Sequence, residues 1–515
     1  MIKKTLHWVN AYLPPYLLLI AYFVFQYLIP NTSNIVTPLQ TFRSFFSFSI
    51  ILVGLGVIAY RIFKNHAKAG LALWVFTDLF VLSQTFFIIS SVLALILLVC
   101  WVGITRLRNQ KLALHYISFL LSVLGVGLVI IIFVLDQTPL NLIFREAPQI
   151  ATSVETKLTM PELPPDIYYI VLDSYARADV LEDLFAFDNS GLTNNLLEKG
   201  FIVPNNNHSN YATSEVSETA TLNMQYIQNL MADAEGWPYW WLLSPLIENN
   251  TVKTTLENSG YRSISIEVDY EVINDENVDI HFQPLPIKLN TFEKYLIQTS
   301  PLNLLSPLIE KFALVNTYSS HRELINFAFV TLSKIPEIEG PKFIYSHIKA
   351  PHPPFVFDKY GRPIEPDYEY TLYDGENFPS TTDLYKAGYI EQLQYINFRL
   401  ENTIDAILEK SKTPPIIIVI SDHGSRLYSD FSSSNKTCVS EAFSNFMALY
   451  LPGIDPTTVP LDISSVNVFR LVFNNYYGTD LNILENHYYF FSDEGIPYRF
   501  KDVGQSIDLE CEPLP

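Results

Sequence analysis

The sequence is short of positive charge. Its 515 residues include 33 lysines and arginines against 53 aspartates and glutamates, which gives a formal net charge of −20. A protein that binds nucleic-acid phosphates needs a basic face, so this balance argues against a nucleic-acid partner. The chain also contains no internal repeat and no low-complexity tract.

Cysteine is scarce as well, with three residues in the whole chain. Cys100 lies in an apolar run, whereas Cys438 and Cys511 lie in the more polar remainder of the sequence. The last two could form a disulfide if that part of the chain is exported, and two unpaired thiols are the alternative.

Apolar residues are concentrated in the first 135 positions. A signal peptide could explain the first run, but no small-residue cleavage site follows it and more apolar runs come after it. The third run is long enough for two membrane helices joined by a turn. We therefore predict a bundle of about five transmembrane helices in residues 1–136, formed by the runs of about Ala11 to Ile29, Phe45 to Tyr60, Ala69 to Thr105 and Ala113 to Leu135.

Basic clusters lie at alternate ends of these runs, as the positive-inside rule requires of five crossings with a cytoplasmic amino terminus. If the third run formed one bent helix and not two, the clusters Arg61/Lys64/Lys68 and Arg106/Arg108/Lys111 would lie on opposite sides of the membrane. Five crossings place everything after Asp136 outside the cytoplasm, which predicts a multi-pass protein of the cell (inner or cytoplasmic) membrane. The clusters are Lys3/Lys4, Arg61/Lys64/Lys68 and Arg106/Arg108/Lys111.

Residues 137–165 contain five prolines and no sustained period, which is typical of a linker. Strand-like and helical patterns then alternate through residues 166–515, and this predicts an α/β domain with a mostly parallel central sheet. The predicted strands are Ile167–Leu172, Phe201–Pro204, Tyr261–Glu267, Lys342–His347 and Ile416–Ser421, and the predicted helices are Val180–Phe187, Glu218–Met231, Leu384–Lys410 and Val466–Asn474.

Two of these strands end on chemically useful side chains. The run Ile416–Ile420 leads into Ser421, Asp422, His423 and a glycine, and the run beginning at Ile167 leads into Asp173. Ligands of open α/β sheets bind at the carboxyl ends of the strands. Carboxylate and neutral imidazole are ordinary ligands of zinc and manganese, so these residues could hold one divalent cation; a surface turn is the alternative for either strand alone.

A polar loop rich in hydroxyl groups opens the helix that follows Tyr211. Thr213 or Ser214 at the helix N-cap would lie where free N–H groups and the helix dipole favour phosphate or sulfate. A hydroxyl beside a divalent cation can also lose its proton near neutral pH and attack phosphorus. A simple capping role is the alternative for this loop.

A third polar element follows the strand that begins at Lys342. It supplies His347 and His352, and prolines on both sides of His352 restrict its backbone. We interpret these histidines as part of a site, with a rigid structural loop as the alternative.

Together these motifs resemble the alkaline phosphatase/sulfatase superfamily, and within it the membrane-anchored branch of lipoteichoic acid synthases and lipid A phosphoethanolamine transferases. The resemblance implies that Asp173, Asp422 and His423 bind the catalytic metal together with Ser214, which matches the threonine nucleophile of the transferases. Thr213 is the neighbouring candidate nucleophile. It further implies that His347 and His352 form the His-x4-His substrate loop, where the second histidine contacts phosphate or a second metal.

Departures from the family pattern narrow the chemistry. No cysteine lies between Cys100 and Cys438, so the Cys-x-Pro-x-Arg nucleophile of true sulfatases is absent and formylglycine chemistry is excluded. The first strand carries Asp-Ser in place of paired aspartates, which favours one metal ion over two. Arg426 could supply missing positive charge at the substrate, and an ordinary surface arginine is the alternative.

The sequence therefore predicts a metal-dependent membrane enzyme with an extracytoplasmic catalytic domain. We expect transfer of a phospho-alcohol group from a membrane lipid donor to a cell-envelope glycan acceptor, with His352 or His347 assisting the leaving group. The cofactor is expected to be one divalent metal ion, manganese or zinc in preference to magnesium or calcium. The alternatives are a phosphodiesterase, phosphatase or sulfuric ester hydrolase, and an envelope-assembly scaffold without catalysis.

Overall fold

A computed structural model describes residues 38–491 with gaps, together with residues 498–507 and 511. The gaps are residues 67, 71, 74–75, 78–147, 149–155, 238 and 300. The chain divides into two compact units, Met1–Arg145 with Ile287–Val315, and Glu146–Pro286 with Asn316–Pro515. The segment 287–315 thus groups with the amino-terminal unit, although in sequence it lies inside the predicted catalytic domain of residues 166–515.

The amino-terminal unit contains helix α1, Pro38–Phe63. Among the described residues it is the one helix long and apolar enough to cross a membrane, over Arg43–Phe63, and it contains the predicted crossing at Phe45 to Tyr60. Many of its large apolar side chains are exposed, among them Phe46, Ile50, Val53, Val57 and Ile62, whereas a helix in the core of a soluble protein buries such a face.

The other predicted crossings lie outside the described residues, apart from short helical pieces between residues 69 and 77.

The second unit is built on a six-stranded sheet in the order β3-β2-β4-β1-β5-β6. Every neighbouring pair is parallel except β5 with β6, which is antiparallel. The mostly parallel α/β sheet predicted from the sequence is therefore confirmed. The strands are β1 Ile167–Leu172, β2 Arg262–Ile266, β3 Ile280–Phe282, β4 Lys342–Ile348, β5 Ile416–Ile420 and β6 Met447–Tyr450, with β7 Tyr489–Phe491 and β8 Phe500–Asp502 forming a separate hairpin.

Helices cover both faces of this sheet. Because strands β1 and β5 are buried on both faces, they are apolar at every position. The described helices of this unit are α2 Ala178–Phe185, α3 Ser190–Glu198, α4 Ser214–Asn223, α5 Ile227–Leu230, α6 Ser244–Glu248, α7 Thr251–Glu257, α10 Tyr318–Leu332, α11 Thr382–Lys410, α12 Val439–Phe443 and α13 Val468–Tyr477. Helices α8 Thr291–Thr299 and α9 Ser306–Ile309 belong to the amino-terminal unit.

Two predicted elements are wrong, and the others differ from the structure by at most three residues at an end. Phe201–Pro204 is not a strand and forms an isolated bridge between Ile202 and Leu449. The predicted helix Glu218–Met231 is two helices, because Met224 adopts a left-handed conformation with φ of 52° and ends α4. The helix also begins earlier than predicted, at Ser214, so the Ser214 hydroxyl lies in its first turn.

Cys438 and Cys511 are joined in a disulfide across 73 residues of sequence, so the alternative of two unpaired thiols is wrong. We expect Cys438→Ser to lower the free energy of unfolding by about 2–4 kcal/mol, since the cross-link restricts the unfolded chain. Thermal melting of the detergent-solubilised protein with and without reductant measures this. Cys100→Ser should leave the effect of reductant unchanged, and equal melting of Cys438→Ser and the parent protein under oxidising conditions would contradict the prediction.

Candidate metal and nucleophile site

Three neighbouring strands carry the site at their carboxyl ends. Strand β1 lies between β4 and β5, with Val171 in register with His347 on one side and Ile420 on the other. Asp173 directly follows β1, and Asp422 and His423 follow β5. Parallel pairing therefore brings residues about 250 positions apart in sequence to one edge of the sheet.

The side chains at this edge form a compact buried cluster. His423 Nε2 lies 3.5 Å from Asp173 Oδ1 and 3.4 Å from Asp422 Oδ2, and His347 Nε2 lies 3.3 Å from Asp173 Oδ2. Asp173, His347 and Asp422 each offer one ligand atom, and these three atoms all lie within 4.8 Å of one another. The structure thus adds His347, which the sequence assigned to substrate binding, to the residues that could hold a metal.

A cation fits the chemistry of this cluster. Asp422 Oδ1 accepts hydrogen bonds from the N–H groups of Ser174 and His423, at 3.1 and 3.0 Å. Its other oxygen, Oδ2, is buried and has no hydrogen-bond partner among the described residues. A buried carboxylate oxygen without a donor is costly unless a cation or protonated group lies beside it, and two carboxylates with imidazoles are a donor set that zinc and manganese accept.

The ionisation of Asp173 and His423 also suits a cation. Burial alone would raise the pKa of Asp173, but the charges of His352, His347 and His423 and the hydrogen bond from His347 outweigh it and hold that pKa well below its usual value. Burial and the positive charge of Arg426 lower the pKa of His423. An anionic carboxylate and a neutral imidazole are the forms that bind metals.

The orientation of His423 is set by its neighbours. Its Nδ1 lies 2.8 Å from Gly424 O and donates to it, so the lone pair of Nε2 faces the carboxylates. Arg426 Nη2 lies 2.6 Å from this Nε2 and donates to Ala212 O, also at 2.6 Å. Arg426 is only 7% exposed, so the surface-arginine alternative is wrong and its positive charge lies at the cluster.

Helix α4 brings the candidate nucleophile to the same place. Ser214 Oγ lies 3.5 Å from His423 Nε2, and Ser217 Oγ donates to Asp422 O at 2.6 Å, which fixes the helix against the end of β5. Thr213 is the N-cap residue, but its hydroxyl makes no capping bond and is buried without a hydrogen-bond partner among the described residues. Of the two hydroxyls left open by the sequence, that of Ser214 faces the cluster.

His352 borders the cluster through its backbone. Its N–H donates to Asp173 O at 3.1 Å, and its Nε2 lies 3.6 Å from Asp374 Oδ2. Tyr385 OH donates to Asp374 Oδ1 at 2.8 Å and fixes that carboxylate. Sequence reasoning missed Asp374, since it lies in a loop with no preceding strand to mark it.

Ser174 and Glu218 were also missed. Ser174 takes a left-handed backbone with φ of 63°, which directs its N–H to Asp422. Burial raises the pKa of Glu218 to about 8, and Tyr169 OH donates to it at 3.2 Å. The Asp-Ser pair after β1 was the available signal for Ser174, whereas a helical glutamate gives none.

Gly424 lets the chain turn away from the cluster. A Cβ at this position would lie 1.9 Å from Glu441 O and 3.0 Å from Ser444 O, so a side chain cannot fit without moving the backbone. We expect Gly424→Ala to destabilise the folded protein by several kcal/mol or to displace His423, lowering the melting temperature and turnover together.

The matched control for this prediction is Gly191→Ala in α3. A Cβ at Gly191 meets nothing within 4 Å, so alanine should be neutral or stabilise the helix by up to about 1 kcal/mol. Equal melting temperatures for the Gly424→Ala and Gly191→Ala variants would contradict the role given to Gly424.

The family model described as Sulfatase matches residues 165–474, which is more than half of the chain and includes every residue of the cluster. The chain therefore belongs to the sulfatase family, whose members are enzymes of the alkaline phosphatase superfamily. Membership and the assembled cluster together count against the scaffold alternative.

Solved structures with a similar fold are distant. The C-terminal periplasmic domain of EptC from Escherichia coli has 11% identity and a TM-score of 0.44, and the match covers 68% of this chain and 97% of that one. The integral membrane lipooligosaccharide phosphoethanolamine transferase A (EptA) from Neisseria meningitidis has 12% identity and a TM-score of 0.44, covering 91% and 84%. A 2-O GAG sulfatase, BT1596, has 12% identity and a TM-score of 0.40, covering 65% and 79%. No curated protein matches the sequence.

Proposed function

We propose that this protein is a metal-dependent membrane enzyme that transfers a phospho-alcohol group from a lipid donor to a hydroxyl of an envelope glycan. The observation that carries the proposal is the position of Ser214 Oγ, at the amino terminus of α4 and 3.5 Å from His423 Nε2. A hydroxyl held beside a cluster of carboxylates and imidazoles is suited to nucleophilic attack on phosphorus.

Asp173, Asp422, His423 and Ser214 are the proposed metal ligands, with His347 as an additional one. A zinc or manganese ion bound there would lower the pKa of the serine hydroxyl and neutralise charge on the phosphoryl oxygens. Ser214 is 8% exposed, and Asp173, His347 and Asp422 are each exposed by 3% or less, so the site is largely shielded from bulk water and each electrostatic interaction in it is stronger.

The proposed reaction has two steps. In the first, Ser214, deprotonated at Oγ, forms a bond to phosphorus, the bond from phosphorus to the donor's leaving oxygen breaks, and that oxygen takes a proton from His352. Asp374, whose Oδ2 lies 3.6 Å from His352 Nε2, would orient the imidazole. In the second step the acceptor hydroxyl attacks phosphorus of the serine phosphodiester and gives its proton to His352, and the bond from phosphorus to Ser214 Oγ breaks to release the serine alkoxide.

Arg426 and the first turn of α4 are the proposed partners of the phosphoryl oxygens. The guanidinium lies beside His423 and is held by Ala212 O, directly before the helix. Free N–H groups of a helix amino terminus favour the same anion. A fixed cation and fixed N–H donors need no rearrangement as negative charge develops.

Two observations support an extracytoplasmic membrane enzyme in preference to a soluble hydrolase. Helix α1 is a candidate membrane span with an exposed apolar surface, and the Cys438–Cys511 disulfide fits an oxidising compartment. An enzyme held at a membrane meets lipid donors at high local concentration. We therefore rank transfer from a lipid above hydrolysis of a water-soluble ester.

The test is incubation of the full-length protein in detergent with p-nitrophenyl phosphate, a phosphodiester, a sulfate ester and phospholipid donors, each with and without manganese or zinc. We expect metal-dependent consumption of a phospholipid and a covalent phospho-alcohol adduct on the peptide that contains Ser214, detected by mass spectrometry. Brisk turnover with water as the sole acceptor would favour a phosphatase or phosphodiesterase, and rapid sulfate release would favour a sulfuric ester hydrolase.

A further inference from the structure

Residues 287–315 form a folded segment of the amino-terminal unit. Helix α8 buries Phe292 and Leu296 in a small apolar core with Leu52 of α1. Arg43, in the first part of α1, pairs with the Glu293 carboxylate and donates to Lys288 O at 3.1 Å. The segment is therefore attached to the half of the candidate membrane span that begins at Arg43.

The far part of this segment exposes large apolar side chains. Leu304, Leu305, Leu308 and Phe312 are exposed by between 50% (Leu305) and 86% (Leu304). They lie in the 3-10 turn Pro301–Leu305, in α9 and just after it. Isolated exposed leucines are ordinary, but four large apolar side chains within residues 304–312 mark a surface that meets an apolar partner.

We propose that residues 304–312, here called the apolar loop, insert into the outer headgroup region of the lipid bilayer. The inference rests on the proposed membrane placement of α1. The same unit also exposes Phe46 and Ile50 of α1, so both of its described apolar surfaces are available to lipid.

Charge defines which leaflet the loop meets. Arg61 lies in the last turn of α1 and Lys64 follows it, and the positive-inside rule places that end of the helix in the cytoplasm. The end at Arg43, in the half to which the segment is attached, then lies at the extracytoplasmic surface. Exposed Lys311 beside Phe312 can contact lipid phosphates while the apolar side chains lie deeper.

The test is spin-label accessibility on the full-length protein in vesicles of phosphatidylethanolamine and phosphatidylglycerol. A nitroxide is placed by Leu304→Cys in a Cys100→Ser background that keeps the Cys438–Cys511 disulfide. Collisions with lipid-soluble oxygen should exceed those with a water-soluble nickel chelate, giving a ratio about tenfold above that of a label at Leu461→Cys. Leu461 is the matched control because it is an exposed leucine of the other unit.

A second label, at Ile50→Cys on α1, distinguishes failure of this inference from failure of the membrane placement of α1. Lipid exposure at Ile50 with water exposure at Leu304 equal to that at Leu461 would overturn the inference and leave the membrane span intact. Water exposure at both Ile50 and Leu304 would overturn the membrane placement and the inference together. Line broadening of the Leu304 label that disappears on dilution with unlabelled protein would show that a second copy covers the loop, which would also overturn the inference.

Discussion

Replacement of Ser214 by alanine is expected to abolish group transfer, with kcat lower by about 10⁴-fold or more. The substitution removes one oxygen, that which lies 3.5 Å from His423 Nε2, and leaves the α4 backbone unchanged. Without it no covalent phospho-alcohol adduct can form, and the remaining groups can only bind the donor. Turnover of the lipid donor and mass spectrometry of the Ser214 peptide measure the two consequences separately.

Thr213→Ala is the matched control for Ser214→Ala. The Thr213 hydroxyl makes no capping bond, so its loss should lower kcat by less than about tenfold. Ser214→Thr keeps a hydroxyl at the reacting position and should retain measurable transfer. Normal adduct formation in Ser214→Ala with loss in Thr213→Ala would reverse the assignment of the nucleophile.

The sheet that positions the Ser214 hydroxyl could be predicted because its central strands follow a simple sequence pattern. Strand β1 has the predicted bounds, and β4 and β5 differ by one residue at one end. Strands β1 and β5 are buried on both faces and apolar throughout, and each ends where polar residues begin, whereas the equally buried β4 also carries Lys342, Ser346 and His347. The same rule predicted that Asp173 and the Asp422–His423 pair meet, because parallel strands end at a common edge.

Features that depend on tertiary contacts could not be predicted this way. Phe201–Pro204 has the composition of a strand, but only Ile202 pairs with the sheet, through Leu449. Asp374 reaches His352 from a loop whose path no local pattern determines. Segment 287–315 packs on α1, about 240 residues earlier, through Phe292 and Leu296. The spacing of these two residues indicates an amphipathic helix, but it does not indicate which element that helix packs against.

The burial of Arg426 shows a similar limit. An arginine three residues after a strand-end histidine is as compatible with solvent as with a site. Its position is decided by Ala212 O, which accepts from its guanidinium, and by the Phe431 ring, over which the guanidinium lies at 5.0 Å. Neither contact can be read from the residues adjacent to Arg426 in sequence.

Removal of the metal is the second change with a large expected effect. We expect Asp422→Asn to lose the bound ion and to lower turnover by about 10³-fold or more. The amide can keep an oxygen for the N–H groups of Ser174 and His423, so the fold should survive. The NH₂ group of the asparagine then replaces Oδ2, which in the parent protein has no hydrogen-bond partner among the described residues. Its hydrogens would face the proposed cation in place of an oxygen lone pair. Metal content per chain, melting temperature and turnover are the measurements.

Asp455→Asn is the control for the loss of one carboxylate, because Asp455 lies in an exposed turn where an amide oxygen can still accept from Thr457 N. It should keep metal, melting temperature and turnover. In the parent protein, added zinc or manganese should raise the melting temperature, since the ion binds the folded state. A similar rise in Asp422→Asn would contradict the proposed ligand set.

Replacement of His347 tests, in the same experiment, whether this residue binds the metal or contacts the substrate. Its Nε2 lies 3.3 Å from Asp173 Oδ2, and the hydrogen bond and charge of Asp173 overcome burial and raise the pKa of His347. If His347 binds the cation, His347→Gln should lose metal and turnover together, as Asp422→Asn does. If it contacts the transferred phosphate, His347→Gln should keep one metal ion per chain and raise KM for the donor. Because one ligand atom each from Asp173, His347 and Asp422 lies within 4.8 Å of the other two, we expect the first result: His347→Gln removes a nitrogen ligand from the proposed set and weakens binding of the ion.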